Sequence, residues 1–464
     1  MSETRTLTNF CYEITYQNLP SEVLLMTKRL LIDCVGVTLK GMQEPASLSM
    51  LTTAQALATT GSSTVIGKRD SLPSHYAALV NGTAAHSIEL DDVTSESSLH
   101  PGVVMVPTAL AIAEEFQSSP EELLAAMVAG YEMMMRVGDA LTNPSGNYDS
   151  GFHPTGICGV FGATITAGKL MKLTKEELLH AIGIAGSMAS GSMEYVTDGA
   201  WTKKFHAGWS AHNGIIAAKM AQSGFEGPTT IFEGKFGFFQ AYASVYHPEK
   251  LTEDFASPYK IMQTNIKLHA CCRYMHAQMD AALHIREAHL FEINDICRID
   301  VTVLTAGEAL VASPIEKKRA PQNRVDAQFS LPYGIAAAFV FGHTGYNQFE
   351  KQHTQRSDIQ SLMQKIHVTV DPELDQRYPT NWPAKLQITL ADDTCLSQEI
   401  EHPVGGWPSS LPTNEQITSK FTELTSDLYA EETINQFTSD AFQFERLTSI
   451  QQLLTHLRTS QTVY

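Results

Sequence analysis

Apolar positions recur at helical spacing from early in the chain. Over residues 21–40, Val23, Leu24, Leu30, Leu31, Cys34, Val35 and Val37 follow a 3.6-residue period, which predicts a largely buried helix. Two later stretches, Ser119-Pro120-Glu121-Glu122 and Thr174-Lys175-Glu176-Glu177, place a hydroxyl three residues ahead of a carboxylate. That spacing lets each side chain satisfy the other's free backbone donor, so helices are predicted from about 120 and 175. Between them, residues 156–171 (GICGVFGATITAGKLM) are apolar and rich in small side chains, as in a helix that crosses others closely. Its glycines weaken it intrinsically, so packing has to compensate.

The period changes to two near residue 265. Residues 298–305 (RIDVTVLT), 365–370 (KIHVTV) and 385–390 (KLQITL) alternate polar and apolar, and a further run reaches Ile400 after the Asp392-Asp393 turn. These read as half-buried strands of a sheet with one covered face. Helical spacing returns after a Pro/Gly-rich break at 402–412, where Thr413-Asn414-Glu415-Gln416 repeats the capping pattern. The 464 residues exceed what one core supports. The expectation is a mostly α protein: a large all-helical domain from 1–264 plus 403–464, with a smaller α+β lid domain, 265–402, inserted. A cleft between two such domains is a usual place for a site.

Fifty acidic against 32 basic residues give a formal charge of −18, which argues against nucleic acid or an anionic membrane as partner. No apolar stretch approaches the length of a membrane span, and residues 1–18 lack a secretory signal's apolar core. Seven cysteines without CxxC pairing fit free thiols in a reducing, cytoplasmic setting. An acidic chain binds a small polyanion only where it gathers its few cations, so clustered Lys, Arg and His matter most.

Four clusters stand out. In His86-Ser-Ile-Glu89-Leu-Asp91-Asp92, followed by Thr94, Glu96 and His100-Pro-Gly, a helix spanning about 77–90 is expected to deliver two carboxylates to a domain surface near His100. Acid–base work, a plain helix-end charge cluster and a metal site all fit that grouping, although its spacing matches no named metal motif. Asp91-Asp92-x-x-x-Glu96 also faintly resembles the aspartate-rich motif of helical isoprenoid synthases, without the second motif that reading needs. Gly151-Phe-His153-Pro-Thr-Gly sets a histidine before the small-residue helix, where backbone donors favour an anion, though core histidines are common. Asp198-Gly-Ala-Trp201-Thr-Lys203-Lys204-Phe-His206-Ala-Gly-Trp209 reads either as a solvated turn or as a cationic pocket walled by Trp201, Phe205 and Trp209. Lys267-Leu-His269-Ala-Cys271-Cys272-Arg273-Tyr-Met-His276 could close over an anion, Arg273 clasping a carboxylate through two bonds, while the cysteines suggest either a nucleophile or small core residues.

Taken in order, HSIELDD…HPG, GFHPTG, DGAWTKKFHAGWSAHNG, IKLHACCRYMH and Asp326-Ala-Gln-Phe-Ser-Leu-Pro-Tyr333-Gly resemble the motif set of the MmgE/PrpD superfamily. The Lys267-Leu-x-Ala-Cys-Cys string is similar to its cis-aconitate decarboxylase branch. Pro101-Gly102 after His100 and Arg273-Tyr274 after the cysteines depart from the fungal pattern. The resemblance implies a homodimeric lyase with no cofactor and no metal, holding a small di- or tricarboxylate between its domains. It implies Asp91 or Asp92, His100, His153, Lys203 (in place of Lys204) and Lys267 as catalytic residues, with Tyr333 and His276 as substrate contacts; Arg273, by its fork of donors, and Thr94 are further candidate substrate contacts. Decarboxylation of cis-aconitate to itaconate is the reaction expected, and epimerisation or dehydration of a related acid is the alternative. Outside the family, a metal-dependent hydrolase built on His86, Asp91, Asp92 and His100, or a non-catalytic carboxylate binder, would use the same residues.

Overall fold

The computed structural model describes residues 2–58, 60–141, 151–378, 380–407 and 410–458. It comprises two compact units, Met1–Thr264 together with Thr413–Tyr464, and Asn265–Pro412.

In the first unit the main helices are α1 (Glu3–Glu13), α2 (Ser21–Gly41), α3 (Pro45–Leu57), α4 (Ser74–Ala85), α5 (Gly102–Phe116), α6 (Pro120–Leu141), α7 (Pro154–Leu170), α8 (Lys175–Gly186) and α9 (Thr202–Gln222). The unit is not purely helical, since Ser63–Thr64 and Ser71–Leu72 form a two-residue antiparallel ladder. Both expected capping boxes are present. The Glu122 amide donates to Ser119 Oγ (3.1 Å) while the Ser119 amide donates to Glu122 Oε2 (2.9 Å), and Thr174 and Glu177 do the same at α8.

α7 is buried around nearly its whole circumference, and α9, which mixes small and polar side chains, packs on it and on neighbours. Their approach is set by missing side chains. A methyl at Gly208 of α9 would stand 2.1 Å from the Leu79 carbonyl oxygen of α4, and one at Gly214 would stand 2.4 Å from Ala163 Cβ of α7. Glycine there is a packing requirement that outweighs its cost to helix propensity.

In the second unit, α10 (His276–Ala288) packs on β3 and β4 of a four-stranded mixed sheet, and α11 (Leu331–Phe341) lies against α10. The strands are β1 (Ile296–Val303), β2 (Ile366–Val370), β3 (Ala384–Leu390) and β4 (Cys395–Ile400), in the order β2-β1-β3-β4. β1 runs parallel to β2, with Ile299 opposite Ile366, and antiparallel to β3. Ile299, Val301, Val303, Leu386 and Ile388 are buried while intervening residues reach solvent, the alternation of a sheet covered on one face. Residues 304–305 leave the strand because a short helix starts at Thr305.

Residues 403–407 hydrogen-bond within this unit and do not open the C-terminal helical segment. The Ile266 amide donates to Gly405 O (2.9 Å) and the Val404 amide to Asp280 Oδ2 (2.7 Å). The chain re-enters the first unit at Thr413, the N-cap of α12 (Asn414–Thr425), which is followed by α13 (Glu431–Phe442). From α12, buried Lys420 pairs with Asp33 of α2 (2.5 Å) and donates to the Leu90 carbonyl (2.7 Å). The C-terminal segment therefore fixes the backbone one residue before Asp91.

Gly208→Ala should lower stability by about 1–3 kcal/mol, at the upper end because a carbonyl oxygen cannot swing aside as a side chain can. Chemical denaturation would show it as a lower midpoint with unchanged slope.

Candidate active site

α4 ends at Ala85, earlier than the apolar run suggests, because Ser87 Oγ donates to Thr83 O (2.7 Å) and meets Ser47 Oγ (3.1 Å). The chain then turns through Glu89, whose φ of +58° lies in the left-handed region. That turn folds Asp91 back toward the end of α4. Asp91 and Asp92 are 1% and 3% exposed, so they lie inside the unit and not on the surface expected from the sequence.

The two carboxylates do different work. Asp91 Oδ2 sits 2.9 Å from His86 Nδ1 and 2.7 Å from His100 Nδ1, bridging two imidazoles. Burial alone would raise its pKa, but the charges and hydrogen bonds of His86 and His100 together hold it well below the usual carboxylate range. Asp92 turns the other way, accepting from the Gly102 amide (2.9 and 3.0 Å) at the start of α5 and from the Tyr131 hydroxyl (2.8 Å). Burial and the neighbouring Asp91 charge push Asp92 up to about 8, more than those donors offset. Asp92 thus faces the start of α5 and Tyr131, while Asp91 faces the imidazoles.

His100 is the most exposed of the histidines gathered here, at 8%. Its amide donates to Thr155 Oγ1 (3.1 Å) in the first turn of α7, and its Nδ1 also meets the Asp92 carbonyl (2.8 Å). His153 is the N-cap residue of α7, and His206 lies one turn beyond Lys203 on α9. The rings form a ladder, with centroid separations of 4.7 Å for His100–His86, 5.8 Å for His86–His153 and 5.3 Å for His153–His206. Burial first, then the charges of His86 and Lys203, push His153 well below the ordinary histidine value and His206 down to about 4. Both are therefore neutral near pH 7, so in their 3.1 Å Nδ1–Nδ1 contact one ring donates and the other accepts. His206, part of the expected cationic pocket but given no role of its own from the sequence, joins the cluster, its i+3 spacing from Lys203 putting both on one helix face.

Lys203 is ion-paired with Glu89. The pocket expected around it is only partly walled: Phe205 stacks on Trp209 (5.3 Å) and Trp209 on His212 (5.0 Å), but Trp201 is 53% exposed. Thr94 is a turn-former, its Oγ1 accepting from the Leu99 amide (3.0 Å) and meeting Ser97 Oγ (3.1 Å).

His86, Asp91 and His100 form the one group among the described residues with three potential metal-ligand side chains close together, their ligand atoms within 4.8 Å. The 2.7 and 2.9 Å spacings are those of hydrogen bonds from imidazole to carboxylate. His86 Nε2 and Asp91 Oδ1 are buried without a hydrogen-bond partner, which marks the ladder as a place built to meet another polar group.

The second unit has its own polar cluster. Lys267, His269, Arg273, His276 and Asp280 are all at most 6% exposed. Asp280 joins His269 Nε2 (2.8 Å), whose Nδ1 meets Thr344 Oγ1 (2.5 Å). His276 Nε2 donates to Cys271 O (3.3 Å) and its Nδ1 accepts from Arg273 (3.2 Å). Burial, with Arg273, His269 and Lys267 adding to it, drives His276 well below the ordinary value, so both ring nitrogens serve the interior of the unit. Arg273 Nη atoms reach the Val404 (3.3 Å) and Pro403 (3.5 Å) carbonyls, an inward-turned fork in place of the expected carboxylate clasp. Tyr333 is fully buried on Phe349, its hydroxyl donating to Gln348 O (2.5 Å). Cys271 is buried and pushed well above the thiol range by that burial, as a small core residue rather than a nucleophile. Asp280, four residues after His276 on α10, was not singled out from the sequence.

Asp92→Asn offers a test of the split between the two aspartates. Because the folded-state pKa of Asp92 lies above the unfolded one, the folded chain keeps a proton that the unfolded chain releases between about pH 4 and 8. The native protein loses stability as pH rises through that window, and the Asn variant, which keeps the acceptor, lacks this loss. Denaturation midpoints taken from pH 5 to 8 should show the variant gaining on the wild type.

Two family models cover most of the chain, the MmgE/PrpD N-terminal domain over residues 5–250 and the MmgE/PrpD C-terminal domain over 269–441. The chain is 24% identical to the cis-aconitate decarboxylase of Aspergillus terreus, over 97% of this chain and 95% of that protein. It is 26% identical to the cis-aconitate decarboxylase-like protein oryM of Aspergillus oryzae, over 97% and 96%, and 25% identical to the cis-aconitate decarboxylase of Mus musculus, over 93% and 88%. With both family domains matched in order and the His-Asp ladder built from their motifs, the chain belongs to the MmgE/PrpD family.

Proposed function

We propose that this chain is a lyase that decarboxylates cis-aconitate to itaconate, or a close analogue of cis-aconitate to the corresponding product. The observation that carries the reading is Asp91, an ionised carboxylate bridging the Nδ1 atoms of His86 and His100 beside Lys203. The near full-length likeness to proteins named cis-aconitate decarboxylase supports it.

When the carbon–carbon bond to the departing carboxylate breaks, its electron pair spreads over the allylic framework and an adjacent carboxylate. That developing charge requires a fixed cation, a role assigned here to Lys203. Completing the product requires one proton at carbon. His100 is the proposed donor, with Asp91 accepting from Nδ1 and proton transfer assigned to Nε2. His153, held neutral by burial, is better suited to hydrogen-bonding the substrate than to serving as a resting imidazolium.

We further propose a homodimer in a reducing, cytoplasmic setting. All seven cysteines are free, and no helix among the described residues is long and apolar enough to cross a membrane. α9 contains no acidic residue in a chain of charge −18, and together with its N-cap residue Trp201 it leaves three aromatic rings, those of Trp201, Phe205 and Trp209, open to solvent in whole or part. A face of that composition suits contact with a second copy.

Incubation with cis-aconitate should release carbon dioxide and yield itaconate by mass spectrometry, and His100→Ala should remove turnover while leaving the circular dichroism unchanged. Recovery of substrate carrying solvent deuterium, without carbon dioxide, would replace decarboxylation by epimerisation. Sedimentation should give twice the chain mass, reduced to the monomer by Trp209→Asp.

A further inference from the structure

Glu89 is the one residue beside the histidine ladder whose backbone conformation and side-chain partner both call for explanation. It is neither Gly nor Asn, yet it adopts φ +58°, a region that L side chains seldom enter. Chains keep such residues where the surroundings over-determine them, often at functional sites. Here the turn aims the Glu89 carboxylate at Lys203, and the pair is largely shielded, with side-chain exposures of 13% and 17%.

The groups around the Lys203 ammonium come from four directions. Glu89 and Asp91 lie on the segment after α4, Tyr195 on the short helix Tyr195–Asp198, His153 at the start of α7 and His206 on α9 itself. Burial favours loss of the lysine proton, and Glu89, then Tyr195 and Asp91, more than reverse that. Asp91 is already bridged by His86 and His100, so Glu89 is the carboxylate committed to the lysine.

We propose that Glu89 is a positioning residue for the reaction assigned above: it holds the Lys203 ammonium charged and aimed beside the histidine ladder, balancing its charge until a substrate carboxylate takes a share of it. The proposal rests on Lys203 receiving a carboxylate. It explains how an ammonium persists in so dry a place before substrate arrives. It also explains why an energetically disfavoured turn is kept at residue 89, since an extended or helical backbone there would point the side chain elsewhere.

The test uses the full-length protein and three variants. Glu89→Gln removes the charge at nearly constant shape, Glu89→Asp restores it on a shorter arm, and Glu89→Asn removes it while suiting the left-handed turn better than glutamate does. Competitive acetylation of Lys203 across pH, read by peptide mass spectrometry, reports the protonation of that lysine without any substrate. Glu89→Gln and Glu89→Asn should bring the labelling midpoint down by about one unit or more, and Glu89→Asp should return it part-way. With cis-aconitate, kcat/KM should fall by about a hundredfold in the two uncharged variants, chiefly through kcat at alkaline pH, as expected for a displaced catalytic group. Both Glu89→Gln and Glu89→Asn strand the Lys203 ammonium and should melt below the wild type, but Glu89→Asn, which suits the left-handed turn, should melt no lower than Glu89→Gln, which separates the lost charge from the backbone conformation. Unchanged labelling and an unchanged pH profile in Glu89→Asn would overturn the proposal. A wild type inactive on cis-aconitate would overturn the assigned reaction, while the labelling midpoints would still decide whether Glu89 governs the charge on Lys203.

Discussion

The close crossing of α9 with α4 and α7 is the constraint on which the site depends. Gly208 lies against the α4 backbone at Leu79 and Gly214 against Ala163 of α7, with no space for a methyl at either contact. Helices of ordinary composition sit 8–10 Å apart, and side chains at these crossings would spread them. His86 is the C-cap of α4, His153 the N-cap of α7, and the first turns of α9 present Lys203 and His206. Three helix ends bearing polar groups are thus brought side by side because glycines stand where the helix bodies behind them cross.

That closeness excludes water, and the exclusion sets the electrostatics. An isolated buried charge is costly, and each charge in this cluster has an answer. Asp91 stays ionised because two imidazoles share it, and Lys203 stays an ammonium because Glu89 faces it. His153 and His206, with no carboxylate of their own, resolve the same pressure by remaining neutral and bonding to each other. Adjacent aspartates with identical chemistry end in opposite states: Asp91 meets rings that can carry positive charge, whereas Asp92 meets an amide and a phenol that cannot.

The polar cluster of the second unit follows a different logic. Asp280 braces His269, Arg273 braces His276, and backbone carbonyls at 403–404 complete the fork of the arginine. Most of these groups are tied to one another, which gives the loop bearing Lys267 a rigid support. In such networks the satisfied members define geometry, and removal of one leaves the rest unpaired at a cost of about 1–3 kcal/mol for each stranded group.

The sequence by itself determined the elements and the chemical inventory. Capping boxes at Ser119, Thr174 and Thr413, the two-residue alternation at 298–303 and 385–390, and the small-residue run of α7 all act through neighbours a few positions away, so they can be read without a fold. The motif order likewise named His100, His153 and Lys203 and pointed to the family. What only the tertiary structure decided were the partners. The choice between Asp91 and Asp92 depends on a turn at Glu89 and on Gly102 and Tyr131, 10 and 39 residues away from Asp92. His206 and Glu89 gain their meaning from His153 and Lys203, 53 and 114 residues distant, and Arg273 and Tyr333 bond to carbonyls that no local pattern indicates. Local spacing fixes which backbone donors and which faces a segment offers, but the protonation and pairing of a buried side chain are set by whatever the fold brings against it.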